Sequence, residues 1–385
     1  MKLLFVHDGP IFYDNNGNYY EYSYHFLYER YSYIADEITF LMRTMPVNDI
    51  TKNTPLPEQV NVISVPNFKT PGKYFRSKPE AEKIIAKAVM AADILVLRGG
   101  SSCTNIAVKY AEKYRKPYIF ECVGCVFDAL WNYSLLGKLM APYCFFAEKR
   151  RIKKAGYVYY VTNVFLQKRY PTNGISIGCS DVTIGEPDND ILKERLERIG
   201  GKSGESRIIL GTAAATDVRY KGQEYVIRAL PGLVKMGYDV EYRLAGGNRH
   251  GSTFLHDLAV RCGVADRVIF CGSLSSDEIN DFYDALDIYV QPSRQEGLPR
   301  SVIEAMSRGC PVIGTNIAGI PELIQKEYLF KAGSTKAFTD AFVTAINSDM
   351  KRASRYNFDK AKEYTYDKLD KRRKEFYDTF SEQLG

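Results

Sequence analysis

Short apolar runs alternate with helical patterns along most of this chain, and the alternation stops once and restarts. The first series reads as strands at Met1–Val6, Glu37–Met42, Val60–Val65, Ile94–Leu97, Tyr118–Cys122 and Tyr157–Thr162, with helices around Pro79–Ala91 and Thr104–Tyr114. Strand and helix in turn predict a parallel sheet covered on both faces. Ser176–Gly185 has little periodicity and is the expected interdomain crossing. The charged helix Asp190–Ile199 and the break Gly200-Gly201-Lys202-Ser203-Gly204 lead into the second series. Its strands fall at Arg207–Gly211, Glu241–Ala245, Val268–Cys271, Ile288–Val290 and Pro311–Gly314. Helices fall between them at Gly222–Met236, Thr253–Cys262, Ser276–Ala285 and Pro299–Arg308. The expectation is an α/β chain of two tandem Rossmann-like, doubly wound domains, 1–178 and 179–361, facing a cleft at the carboxyl ends of their strands. At 385 residues the chain is too long for one ordinary core, which agrees.

Composition narrows the class. With 45% hydrophobic and 25% charged residues, and only 29 Gly and 16 Pro, the chain is neither fibrous nor disordered. No apolar run reaches the roughly 18–20 residues of a membrane helix, and Met1–Asp8 is too short and too soon charged for a signal peptide. A cytoplasmic protein is expected. Eight scattered cysteines read as reduced core residues, including Cys122-x-x-Cys125, which has no second pair nearby and lies far from His7, His25, His250 and His256. The net charge of +6 is too small for a dedicated nucleic-acid binder. Seven tyrosines crowd Tyr19–Tyr33, and Tyr24, Tyr28 and Tyr31 suit one face of an aromatic-packed helix.

Most informative is Gln291–Met306, where Glu296 and Glu304 are separated by seven residues. Pro299 fits the first turn of a helix and Gly309 its end, so Glu296 precedes the helix and Glu304 lies about a turn and a half inside. Unpaired N–H groups at a helix start suit an anionic diphosphate. A carboxylate deeper in suits a vicinal diol, as the acidic residue does in dinucleotide folds. Asp188-Asn189-Asp190 is explained by helix capping, and no carboxylate pair has metal-ligand spacing.

The blocks Ala285–Ser293, Glu296–Pro299, Glu304–Met306, Gly309–Thr315 and Gly319–Ile324 closely resemble the retaining GT-B glycosyltransferases with the E-x7-E motif, of the family 4-like, polysaccharide-assembly type. The likeness is strong over Ile208–Ile324 and looser at Gly124–Asn132 and Tyr157–Pro171. It implies that Glu296 contacts donor-sugar hydroxyls, that the backbone at Gly297 and Leu298 approaches the sugar and diphosphate, that Glu304 holds the ribose and that Lys221, of the pair Lys221-Gly222, binds the diphosphate. Five residues before that lysine the family usually has arginine; here Thr216 stands there, and Arg219 is the expected substitute cation. The family's early glycine-rich loop is reduced to Gly9, and its first-domain histidine is replaced by the stretch Glu121–Cys125. The likeness further implies a nucleotide-sugar donor and a glycan or lipid-linked acceptor in capsular or surface polysaccharide synthesis; with no carboxylate pair at metal-ligand spacing, no metal or other cofactor is expected. A C-terminal helix, about 362–385, is expected to pack back on the first domain. Catalytic roles are expected for Glu296, Lys221 and Arg219. A sugar-nucleotide epimerase of the same architecture and a non-catalytic homologue stay open as alternatives.

From Lys138 to Lys154 six basic residues face one acid, Glu148, with Leu139, Met140, Phe145, Phe146 and Ile152 interleaved. Such a helix suits the surface of an anionic membrane, on the inner face of which the protein is expected to work.

Overall fold

The computed structural model describes residues 1–21, 25–47, 54–68, 71–202, 206–248 and 251–384. Tyr22, Tyr24, Ser203, Gly204 and His250, singled out above, lie outside the described residues. The strands before the crossing are β1 (Lys2–Val6), β2 (Ile11–Tyr13), β3 (Tyr19–Glu21), β4 (Glu37–Pro46), β5 (Thr54–Pro55), β6 (Val60–Val65), β7 (Ile94–Arg98), β8 (Tyr118–Cys122), β9 (Tyr157–Tyr160) and β10 (Ile175–Gly178). After it come β11 (Ile208–Ala213), β12 (Val240–Ala245), β13 (Val268–Gly272), β14 (Ile288–Gln291), β15 (Val312–Thr315) and β16 (Leu329–Phe330).

Among the described residues these form two sheets. The parallel part of the first runs β6-β4-β1-β7-β8-β9-β10, and the short β2, β3 and β5 continue it from the end of β4. In register, Leu3 stands between Ile38 and Ile94. The second runs β13-β12-β11-β14-β15-β16 and is parallel throughout. In both, the first strand of the unit sits inside the sheet and the order reverses beside it, at β1/β7 and β11/β14. Loops there diverge to opposite faces and leave a crevice at the strands' carboxyl ends. β7 is buried along its whole length, as a parallel strand between two helical layers must be.

Several local expectations change. Tyr19 and Tyr20 pair with Tyr13 and Phe12 as strand, and the helix is confined to His25–Ser32, with Tyr31 buried and Tyr28 half-buried. The helix ending at Ala91 starts at Pro71, with Pro79 inside, since one missing amide removes only one helical hydrogen bond. Ser176 and Ile177 belong to β10, paired with Val158 and Tyr159, so the crossing begins at Cys179. All eight cysteines are free, and Cys122 and Cys125 are buried. Burial pushes both thiols up.

The helix Tyr366–Glu382 returns to the first sheet. Tyr157 of β9 packs edge-on against Phe376 and Phe380 and donates its hydroxyl to the Thr379 carbonyl, and Arg372 donates to the carbonyl of Gly178. The outgoing and returning chains meet where Ile184 bridges Thr365 in parallel.

Candidate active site

At the β11/β14 crevice lies a cavity of about 480 Å³, floored by Ala213–Ala215 and Gly246–Gly247 and walled by Lys221, Glu296, Leu298, Arg300, Tyr283 and Glu304. Glu296 is fixed from three sides. Its Oε1 accepts from Lys221 Nζ at 2.7 Å, from Ser293 Oγ at 2.7 Å and from Gln291 Nε2 at 3.0 Å. Behind them, the Tyr289 hydroxyl lies 2.9 Å from Gln291 Oε1 and 2.8 Å from Ser301 Oγ. The carboxylate is thus held by partners that are themselves held, which makes it a rigid acceptor.

Backbone geometry explains how Lys221 reaches it. Lys221 ends a single turn of 3-10 helix, Arg219–Lys221, and Gly222 follows at φ 77°. A Cβ at Gly222 would stand 2.0 Å from the carbonyl oxygen of Pro292. Only glycine lets this turn press against the loop that carries Glu296.

Glu304 lies on the helix Arg300–Ser307, whose buried stripe is Val302, Ile303, Ala305 and Met306. Pro299 is its N-cap, extended at ψ 116°, one position earlier than the sequence suggested. Glu304 Oε2 accepts from the Tyr283 hydroxyl at 2.8 Å. Burial, reinforced by the Glu304 charge, pushes that phenol far up, so it remains a donor at any working pH. One Glu304 oxygen is therefore turned by Tyr283, and the residue still lines the cavity.

Two expected residues sit elsewhere. Arg219 is exposed, its guanidinium 4.6 Å over the Phe254 ring, and it does not line the cavity. Arg300, by contrast, does line it. The signal was available in sequence: a guanidinium at the first position of the helix that carries Glu304. Gly297 lines a neighbouring cavity of about 280 Å³ between the two sheets, with Leu298 and Arg300 shared by both. A Cβ on Gly297 would come within 2.6 Å of the Val123 carbonyl oxygen, so the two sheets' loops touch there.

The first-domain side of that second cavity carries buried charge that sequence reasoning did not assign. Glu121 accepts from Tyr31 and from Arg98 Nε, both at 2.8 Å. Asp181 accepts from Arg30 at 2.8 Å and has Arg98 Nη2 at 3.5 Å. Burial alone would raise the Asp181 carboxyl, but the guanidinium groups of Arg30 and Arg98 outweigh it and hold it below the usual carboxylate range. Thr216 is buried, its amide donating to Gly247 at 3.0 Å. No cluster of His, Cys, Asp and Glu suited to a metal occurs among the described residues.

Residues 207–348 match the family described as Glycosyl transferases group 1. Protein CapJ of Staphylococcus aureus is 31% identical over 357 residues, covering 91% of this chain and 88% of its own length. A GDP-mannose-dependent alpha-(1-6)-phosphatidylinositol monomannoside mannosyltransferase of Mycobacterium tuberculosis is 35% identical over 112 residues, covering 27% of this chain and 29% of its own. Among solved structures, HepE of Anabaena in complex with UDP superposes with a TM-score of 0.67 at 16% identity, over 99% of this chain and 100% of that one. With CapJ aligned along nearly its whole length and two doubly wound sheets facing one crevice, this chain belongs to the group 1 glycosyltransferases of GT-B fold.

Proposed function

We propose that the protein transfers a hexosyl group from a nucleotide-sugar to a glycan or lipid-linked acceptor of a capsular or other surface polysaccharide, with retention at the anomeric carbon and without a metal. The observation that carries this reading is the pair Glu296 and Glu304 in one cavity, the first clamped by Lys221, Gln291 and Ser293, the second more than a turn inside the helix Arg300–Ser307. Glu296 accepts hydrogen bonds from donor-sugar hydroxyls and Glu304 from the ribose. The diphosphate lies towards Lys221, Arg300, the backbone of Gly297 and Leu298 and the helix start. Lysine has three N–H donors, so Lys221 keeps Glu296 while donating to phosphate. As the bond from the anomeric carbon to the diphosphate oxygen breaks and the acceptor oxygen bonds that carbon, charge grows on the leaving group, where fixed cations and amides stabilise it. The acceptor's proton passes to a diphosphate oxygen. HepE, solved with UDP, supports a nucleotide donor, and the mannosyltransferase that acts on a phosphatidylinositol monomannoside supports a lipid-borne acceptor.

In this reading residues 1–178, closed by the helix near 362–385, hold the acceptor, and 179–361 hold the donor. The basic segment 138–154 keeps the protein on an anionic bilayer from the cytoplasmic side.

Donor screening by thermal shift identifies the nucleotide, because a ligand at 100 times its dissociation constant stabilises by about 2.7 kcal/mol. The decisive assay follows nucleoside diphosphate release. Release only when acceptor is present is expected; sugar interconversion without acceptor would mean an epimerase, and binding without either reaction a non-catalytic homologue.

A further inference from the structure

The segment expected to lie on a membrane is built differently from a simple amphipathic helix. It forms the helix Leu135–Lys154, joined at Ser134 to the helix Val126–Tyr133. Gly137, Ala141, Glu148 and Ile152 face the protein. Ile152 is therefore core and Phe145 is half-buried against Tyr170 and Phe127, so neither is free to insert. The opposite face carries Leu135 (81% exposed), Leu139 (77%), Tyr143 (70%) and Phe146 (67%), followed on the same stripe by Arg150, Lys153 and Lys154. One stripe is thus apolar for about three turns and cationic for two. So much exposed apolar surface marks an interaction site. Arg151 is neutralised by Glu148, the segment's only acid, at 2.9 Å.

At the apolar end lies a cavity of about 400 Å³ that joins the two sheets' loops. Trp131, Tyr133, Leu135 and Lys138 line it from the helix pair, and Arg294 from the loop two residues before Glu296. Among the described residues no carboxylate lines it. Arg294 is loosely held: Nη1 is 3.5 Å from the Tyr225 hydroxyl, Nη2 is 3.4 Å from the Arg219 carbonyl, and the buried Nε has no partner.

We infer that this cavity takes the phosphate of a prenyl-type lipid acceptor, bound between Lys138 and Arg294, with its hydrocarbon running over Trp131, Tyr133 and Leu135 onto the exposed apolar stripe. Two cations without a facing carboxylate select an anion, and Trp131, Tyr133 and Leu135, which line the cavity together with the polar Asn132 and Ser134, favour an amphiphile over a free ion. The arrangement rests on the transferase reading of the donor cavity and names the lipid that the reading leaves open; its test does not depend on turnover.

Trp131 is the chain's single tryptophan and lines the cavity at 45% exposure, so its emission reports occupancy. Farnesyl phosphate is titrated into the full chain, with farnesol and inorganic phosphate as comparators. A saturable change is expected with farnesyl phosphate at concentrations at least tenfold below either comparator. Lys138→Gln and Arg294→Gln are each expected to weaken it roughly tenfold, the scale of one hydrogen bond to a charged group, with farnesol binding and thermal unfolding unchanged. Equal responses to farnesyl phosphate and farnesol, or variants that bind both as the parent does, would overturn the site. So would emission that tracks protein concentration along with dimer formation in sedimentation, because a second copy would then cover the stripe. A response to inorganic phosphate as strong as to farnesyl phosphate would reduce it to an adventitious ion site. Failure of the transferase reading, with no nucleotide released by any acceptor, leaves these titrations unchanged and is read separately.

Discussion

Glu304 offers one oxygen to Tyr283, and in the proposed function the other takes a ribose hydroxyl. Glu304→Gln replaces an acceptor-only group with one that also presents N–H to hydroxyls and to Tyr283. We expect donor binding to weaken by about 1–3 kcal/mol, as for a hydrogen bond to a charged group. A 2′,3′-dideoxy donor should bind parent and variant almost alike; if it separates them as strongly as the full donor does, the ribose contact is wrong. The cations divide by placement. Lys221→Ala and Arg300→Ala are expected to lower kcat more than they raise KM for donor, since the diphosphate gains charge only as its bond breaks. Arg219→Ala, removed to the Phe254 ring, should stay within about 0.5 kcal/mol of the parent in kcat/KM. An Arg219 effect as large as that of Lys221 would put its side chain at the diphosphate after all.

At the scale of elements, the 179–188 crossing does more than connect. Its Asp181 is locked between Arg30, on the helix His25–Ser32, and Arg98, at the end of β7. A carboxyl whose folded pKa lies below its unfolded one contributes stability that is present above the unfolded value and lost as pH falls through the folded value. Resistance to urea should therefore fall on acidification below the ordinary aspartate range, near 3.8. Asp181→Asn should start less stable at neutral pH and decline less steeply; an unchanged acid limb would show that the pair is not coupled to folding. The same elements show what periodicity reveals and what it hides. β6, β8 and the helix Ser276–Ala285 were legible residue for residue, because parallel strands rich in apolar residues and a capped amphipathic helix carry one-dimensional patterns. Tyr19 and Tyr20 misled because their strand is made by pairing with Phe12 and Tyr13, which local spacing does not encode. Glu296, Glu304 and Lys221 were legible through words shared with a family, whereas Arg300 and the Glu121–Arg98–Asp181 network depend on which loops meet across the crevice.

For the whole molecule, the sequence argument that magnesium has no protein anchor yields a simple expectation: turnover should survive EDTA. Complete loss on chelation, restored by a divalent cation, would reveal a metal carried in with the donor or a ligand set that the bare chain does not assemble. Burial of Glu121 and Arg98 away from solvent places an expensive charge pair next to the interlobe cavity. Removing one partner of such a pair commonly costs about 3–5 kcal/mol, so variants there must be checked for folding before any change in acceptor use is read as chemistry.

The bridge between Ile184 and Thr365 has a topological meaning for engineering. The chain leaves the first sheet and comes back to it through one doorway, so everything between is a cassette set into a host that begins at β1 and ends with the helix Tyr366–Glu382. The cassette closes on itself: Arg195 donates to the carbonyls of Tyr283 and Arg308, and Ser354 and Asn357 donate to those of Gly309 and Cys310. A fragment of residues 186–363 should fold cooperatively and retain nucleotide binding, and a melt without a transition would refute this. Exchange of such a cassette between relatives is then expected to change the donor used, and it would carry Arg294 with it while the helix Leu135–Lys154 stays with the receiving half.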